Sequence, residues 1–199
     1  ELTDDCLFEL ATCIKRDNPD FIYSDEDTID PDGRFTQPHF KPDWSPDTMM
    51  STMYTCHVAC IRKSILDKVG GLRSDFDGCQ DWDLVLRITE ATDRISHIPK
   101  ILYHWRIIPA SIAADLAAKP YVLEASKNVR LDAMKRRGLS GVVEEIPQIK
   151  GYFSVNYHLQ GEPLVSIIIP TRDNLDVLRR CIDSIFEKSR YRKFEIIIH

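Results

Sequence analysis

The run Val165-Ser-Ile-Ile-Ile169 narrows the possible folds more than any other stretch of the chain. Begun by Leu164 and stopped by Pro170, it is the longest apolar run present, far short of the roughly 18 to 20 residues of a membrane span. Its apolarity, interrupted only by the small Ser166, is that of a strand buried on both faces of a parallel sheet. A helical pattern over Leu175–Lys188 and a second apolar run, Phe194–Ile198, complete a βαβ unit. The chain is therefore expected to be α/β, with a mixed sheet and flanking helices.

The residues before this unit read as alternating elements. A helix is expected over 3–16, with Leu7, Leu10, Ala11 and Ile14 on its apolar face, followed by a short strand over Phe21–Ser24. Residues 25–48, rich in proline and carboxylates, read as a long structured loop. A strand over Met53–Ile61 and a short helix over Lys63–Val69, closed by Gly70 and Gly71, come next. Gln80–Thr89 is apolar on nearly every side and reads as a core helix. Ile95–Arg106 is extended, with Leu102, His104 and Arg106 on one side and Tyr103 and Trp105 on the other. Residues 120–137 form an amphipathic helix ending in a basic turn and Gly138, and Gly151–Leu159 is strand-like.

Charge bounds the partners. The net charge is -5, and lysine and arginine are scattered rather than striped, which argues against a nucleic-acid partner. Between Asp17 and Asp47 carboxylates far outnumber the two bases, Arg34 and Lys41; such a cluster either solvates a loop or surrounds a cation or polyol. The six cysteines have no CxxC spacing and several fall in apolar patterns. Read as reduced, mostly buried thiols, they favour the cytoplasm, with association at the inner face of a membrane at most. The start of the chain shows no basic segment leading into an apolar one.

Leu164 to Asn174, with its Pro170-Thr171 strand end, the helix that follows and Phe194–Ile198 resemble the opening of a family-two glycosyltransferase domain. Tyr23-Ser-Asp-Glu-Asp27, Phe40 to Pro46, Gly78-Cys-Gln-Asp-Trp-Asp-Leu84 with Arg87, and His97 to Arg106 resemble, in order, the later part of the same domain type. The resemblance implies an A-type, Rossmann-like fold in which 1–159 is the acceptor-side half of one domain, 160–163 a linker, and 164–199 the first βαβ unit of a second. It implies an inverting hexosyltransferase that moves sugar from a nucleotide-diphospho-sugar donor to a saccharide acceptor in bacterial surface polysaccharide synthesis. The family's metal-binding Asp-x-Asp is expected just before Glu1, outside the chain, so the 199 residues alone are expected to be inactive. Cys56 stands where the family places a glycine before its loop histidine.

Site residues follow from the same match. Asp81 corresponds to the base that takes the acceptor hydroxyl's proton; as a first-turn helix aspartate it could equally be without chemistry. His104 corresponds to a histidine that helps hold Mn²⁺ or Mg²⁺, against the alternative of a hydrogen-bonded structural residue. Asp25 and Asp27 are candidates for sugar hydroxyls, or else members of a solvated acidic loop. His57, Trp105 and Arg106 complete the substrate candidates, and Pro170, Thr171 and Asp173 those for the nucleotide of the second domain. Asp83, four residues before Arg87, reads as one half of an ion pair. A non-catalytic carbohydrate-binding or scaffolding domain of the same fold, and a metal-dependent hydrolase built on the acidic cluster, are the rival readings. Residues 164–198 are expected to pack on 1–150, within a chain or as a strand-swapped homodimer.

Overall fold

The computed structural model describes residues 1–107, 120–149 and 151–199. They form two compact units, Glu1–His158 and Leu159–His199.

The larger unit is organised around one strand. After helix α1 (Cys6–Asp17), β1 (Phe21–Ile29) pairs along one edge in parallel with β4 (Ile95–Arg106). On its other edge it pairs antiparallel with β3 (Ala59–Ile61) at Phe21–Tyr23 and with β2 (Phe35–His39) at Glu26–Ile29. The result is a four-stranded mixed sheet.

Alternation along β1 sends its side chains to two separate cores. Phe21 and Tyr23 join Met49 and Met50 of α2 (Pro46–Ser51), Trp82, Leu86 and Ile88 of α4 (Gln80–Ala91), and Val129, Ala133 and Met134 of α5 (Pro120–Arg136). Val143 of β5 (Gly141–Glu145) and Phe153 of the antiparallel β6 (Phe153–Tyr157) close that core. Ile22, with Ile98 and Leu102 of β4, packs instead on Cys6, Leu10 and Cys13 of α1. Each fully buried large apolar side chain contributes about 1.5–3 kcal/mol, so the two-faced burial of β1 and β4 anchors the unit.

Four expectations change. Residues 25–48 are not one loop: β1 runs on through the carboxylates to Ile29, and β2 and α2 follow. Met53–Ile61 is strand only at Ala59–Ile61. The buried face of α1 is Cys6, Leu10 and Cys13, which pack with Ile22, Ile98 and Leu102, while Leu7 and Ile14 are exposed. β5 was not anticipated; Gly141 makes it possible, since a Cβ there would lie 2.3 Å from the carbonyl oxygen of Asn156. Helix α3 (Lys63–Val69) ends at Gly70, whose left-handed φ of 87° suits glycine.

The smaller unit is a βαβ: β7 (Val165–Ile169) and β8 (Phe194–Ile198) pair in parallel, joined by α6 (Leu175–Lys188). Asn174 caps α6 by accepting from the Val177 N–H. Taken by itself this unit leaves Ile168 exposed, while Ile167 and Ile169 are half-buried.

Candidate active site

The acidic residues of β1 are buried and partnered one by one. Asp25 faces Nε2 of His97 at 2.8 Å, and also accepts the Lys41 backbone N–H at 2.9 Å. His97 stacks on Tyr23 with 4.8 Å between ring centroids, and its Nδ1 lies 3.2 Å from Asp43. Asp27 forms a short hydrogen bond with Nδ1 of His104, whose ring stacks on Phe35. Parallel pairing of β1 with β4, which sets Asp27 opposite His104, brings these partners together.

Glu26 and Lys41 hold the loop that follows α2. Glu26 accepts the backbone N–H of His57 at 2.9 Å, and the Lys41 ammonium donates to the carbonyls of Thr55 at 2.7 Å and His57 at 2.6 Å. Burial alone would raise the Glu26 pKa, but His39, Lys41 and the His57 N–H outweigh it and hold the carboxyl below its usual range. Burial pulls the Lys41 ammonium down, against the attraction of Glu26. Cys56 has the left-handed φ of 33° that glycine adopts at no cost, and its Sγ–H donates to the Met53 carbonyl at 2.9 Å. Burial pushes the Cys56 thiol up to about 12.

This loop forms one wall of a cavity of about 460 Å³, a size typical of small-ligand pockets. Thr52, Met53 and His57 come from the loop, Trp105 from the end of β4, and Gly78 to Trp82 from the start of α4. Val122, Leu123 and Ser126 of α5 and Gly151 with Tyr152 before β6 close it. Trp105 is 37% exposed and meets His57 edge to face at 5.7 Å. Gly78 is required here: its φ is 91°, and a Cβ would lie 3.1 Å from Val122. Asp81 is exposed into this space, its Oδ1 accepting the neighbouring Trp82 N–H at 2.8 Å.

One buried cation lies behind the Trp82 wall. The Arg130 guanidinium lies between the rings of Trp82 and Phe153, 3.9 and 4.1 Å from their centroids. It donates to the carbonyls of Met50, Ser51 and Ser126, while the Trp82 indole donates to Met49. Together they satisfy the C-terminal carbonyls of α2.

The structure thus gathers Asp81, His57 and Trp105 around one cavity. Asp25, Asp27, His104 and Arg106 do not line it; Arg106 pairs with Glu1 near the surface. Asp83 is fully buried and pairs with Arg87 at 2.8 Å, as its spacing suggested, and also with Arg73, which it did not. In the smaller unit, Thr171 and Asp173 line an open concavity at the carboxyl end of β7 with Asn174, Leu175 and Leu178; Pro170 is not among its lining residues. Gln80, Trp82 and Tyr152 are wall residues that sequence reasoning passed over. Gln80 and Trp82 adjoin Asp81 in the chain, but nothing local marks Tyr152.

The donor chemistry of His104 suits a metal ligand in one respect: Asp27 engages Nδ1 and leaves Nε2 as the nitrogen able to coordinate. Among the described residues no group of three His, Cys, Asp or Glu side chains is placed to hold an ion. No described helix is long and apolar enough to cross a membrane.

A mixed α/β domain with a carboxylate at the lip of an aromatic cavity is the class that the geometry defines. No family model matches the chain. Over its whole length it is 37% identical to the uncharacterized protein y4gI of Sinorhizobium fredii (strain NGR234), and it covers 22% of that protein. Over 89% of its length it is 40% identical to the O-antigen biosynthesis protein RfbC of Myxococcus xanthus, covering 14% of it. The chain therefore spans about a fifth or less of the curated relatives it matches.

Proposed function

We propose that this chain is part of a glycosyltransferase of the inverting, A-type kind that acts in surface polysaccharide synthesis, with Asp81 as the base. The observation that carries this reading is the position of Asp81, exposed at the wall of a cavity with Trp82, Trp105 and Tyr152. Aromatic faces suit the C–H faces of a sugar ring, and a carboxylate suits its hydroxyls. The similarity to a protein named for O-antigen biosynthesis supports the same direction.

In the proposed reaction the acceptor hydroxyl oxygen attacks the anomeric carbon of the donor while Asp81 takes its proton. The bond from that carbon to the diphosphate oxygen breaks, and the electron pair leaves with the diphosphate. A divalent cation, Mn²⁺ or Mg²⁺, would supply counter-charge to the diphosphate when bound, and His104 is the residue suited to hold it through Nε2. Asp27 fixes the His104 ring, and Glu26 and Lys41 hold the loop bearing His57.

The test is transfer by the intact protein. Asp81→Asn keeps the shape of the side chain and removes proton acceptance, so the rate is expected to fall on the order of 10²-fold or more with folding intact. Retention of most of the rate would refute the assignment. A binding domain without transfer remains the second reading, favoured by the same aromatic cavity; saccharide binding without turnover in the wild-type protein would establish it.

A further inference from the structure

The charge of the cavity restricts what it can hold. Among the described residues that line it there is one acidic side chain, Asp81, and no lysine or arginine. The nearby cations are engaged elsewhere. Arg130 is completely buried beneath Trp82, with its N–H groups on backbone carbonyls. Lys41, buried as well, is held by the Thr55 and His57 carbonyls and Glu26, and Arg106 by Glu1. What the described walls present besides Asp81 is the Trp105 and Tyr152 rings, the His57 imidazole and the Gln80 and Ser126 side chains.

Among the described lining residues an anionic group would find no lysine or arginine to pair with, and it would face the Asp81 carboxylate. Both effects oppose its binding. A neutral pyranose meets neither penalty. It can lay its C–H face on an aromatic ring while its hydroxyls reach Asp81 and Gln80.

We propose that this cavity binds the acceptor end of the proposed transfer and selects an uncharged sugar, excluding uronic acids and sugar phosphates as well as the donor's diphosphate. The inference rests on the transferase reading only for the word acceptor; the charge selection is argued from the described lining residues.

Intrinsic tryptophan emission reports on the site, because Trp82 and Trp105 line it. Of the other tryptophans, Trp44, the third within these 199 residues, packs near Tyr54 and can be replaced by phenylalanine, and the response of the site is read as the difference between the protein and its Trp105→Phe variant. The intact protein is titrated with a panel of neutral methyl hexosides, with methyl glucuronide and with glucose 1-phosphate. At least one neutral hexoside is expected to change the emission saturably, and about tenfold or more tighter than either anion. Asp81→Asn is expected to narrow that gap by strengthening the anions, and Trp105→Ala to abolish the neutral response. Equal or tighter binding of an anion to the wild-type protein, an unchanged gap in Asp81→Asn, or no response to any neutral hexoside would overturn the proposal. Because binding is read without turnover, charge selection can survive a failed transfer assay, and the transferase reading can survive loss of selection.

Discussion

Asp81 and Asp83 stand two positions apart on α4 and are put to opposite uses. Asp83 has no exposure and is bracketed by Arg73 and Arg87, whereas Asp81 opens into the cavity. Burial alone would raise the Asp83 pKa, but the hydrogen bonds from Arg73 and Arg87 outweigh it and lower the value. Its stabilising contribution is therefore present above the ordinary carboxylate range and is lost as pH falls through the depressed folded value. Asp83→Asn is expected to lower stability at pH 7 by about 3–5 kcal/mol, because two arginines lose their counter-charge. In urea unfolding the gap from wild type should close as the solution is acidified; a gap independent of pH would show that the carboxylate charge is not what stabilises. Asp81→Asn, by contrast, should leave the urea midpoint nearly unmoved.

At the level of elements, the cavity depends on how α2, α4 and α5 are tied together. Arg130 on α5 is the tie: it reaches the last carbonyls of α2 and stacks on Trp82 of α4. Burial pulls its pKa down to about 9, which still leaves it protonated at neutral pH. Arg130→Met supplies comparable apolar bulk but leaves the Met50 and Ser51 carbonyls unpartnered, at a cost of about 1–3 kcal/mol for each. The expected result is a lower thermal midpoint and a changed Trp82 emission, and an unchanged melting curve would contradict the role. A second element depends on one residue without a side chain. Gly141→Ala would push a methyl group against Asn156 and Met134 and separate β5 from β6. A fall of several degrees in Tm is expected, of the size that overpacking of about 1–3 kcal/mol produces.

At the scale of the whole molecule, the two units differ in how much core they own. Glu1–His158 carries two buried clusters on opposite faces of one sheet, whereas Leu159–His199 leaves Ile168, Leu175, Phe186 and Ile198 more than half exposed. A unit of roughly 40 residues is at the limit of what folds alone. Residues 1–158 expressed alone are expected to melt cooperatively by circular dichroism, and a peptide of residues 159–199 to show no cooperative transition; the reverse result would relocate the stabilising core. The helical and strand runs over 80–89, 95–106, 175–188 and 194–198 were legible because their apolar periodicity is local. The extent of β1 was not. Asp25, Glu26 and Asp27 look solvated in sequence, and only the tertiary structure supplies His97, Lys41 and His104 from distant positions to make their burial affordable. The face of α1 that is buried, Cys6, Leu10 and Cys13, differs from the one its leucines and isoleucine mark, because only the tertiary structure shows which side of the helix meets the sheet. The sequence by itself determined the α/β class and the core helix, since those rest on local pattern, whereas the candidacy of Asp81 came from the resemblance to a glycosyltransferase domain. The cavity, its Tyr152 wall and the Arg130 tie were decided by tertiary packing, which joins residues about 80 positions apart that no periodicity connects.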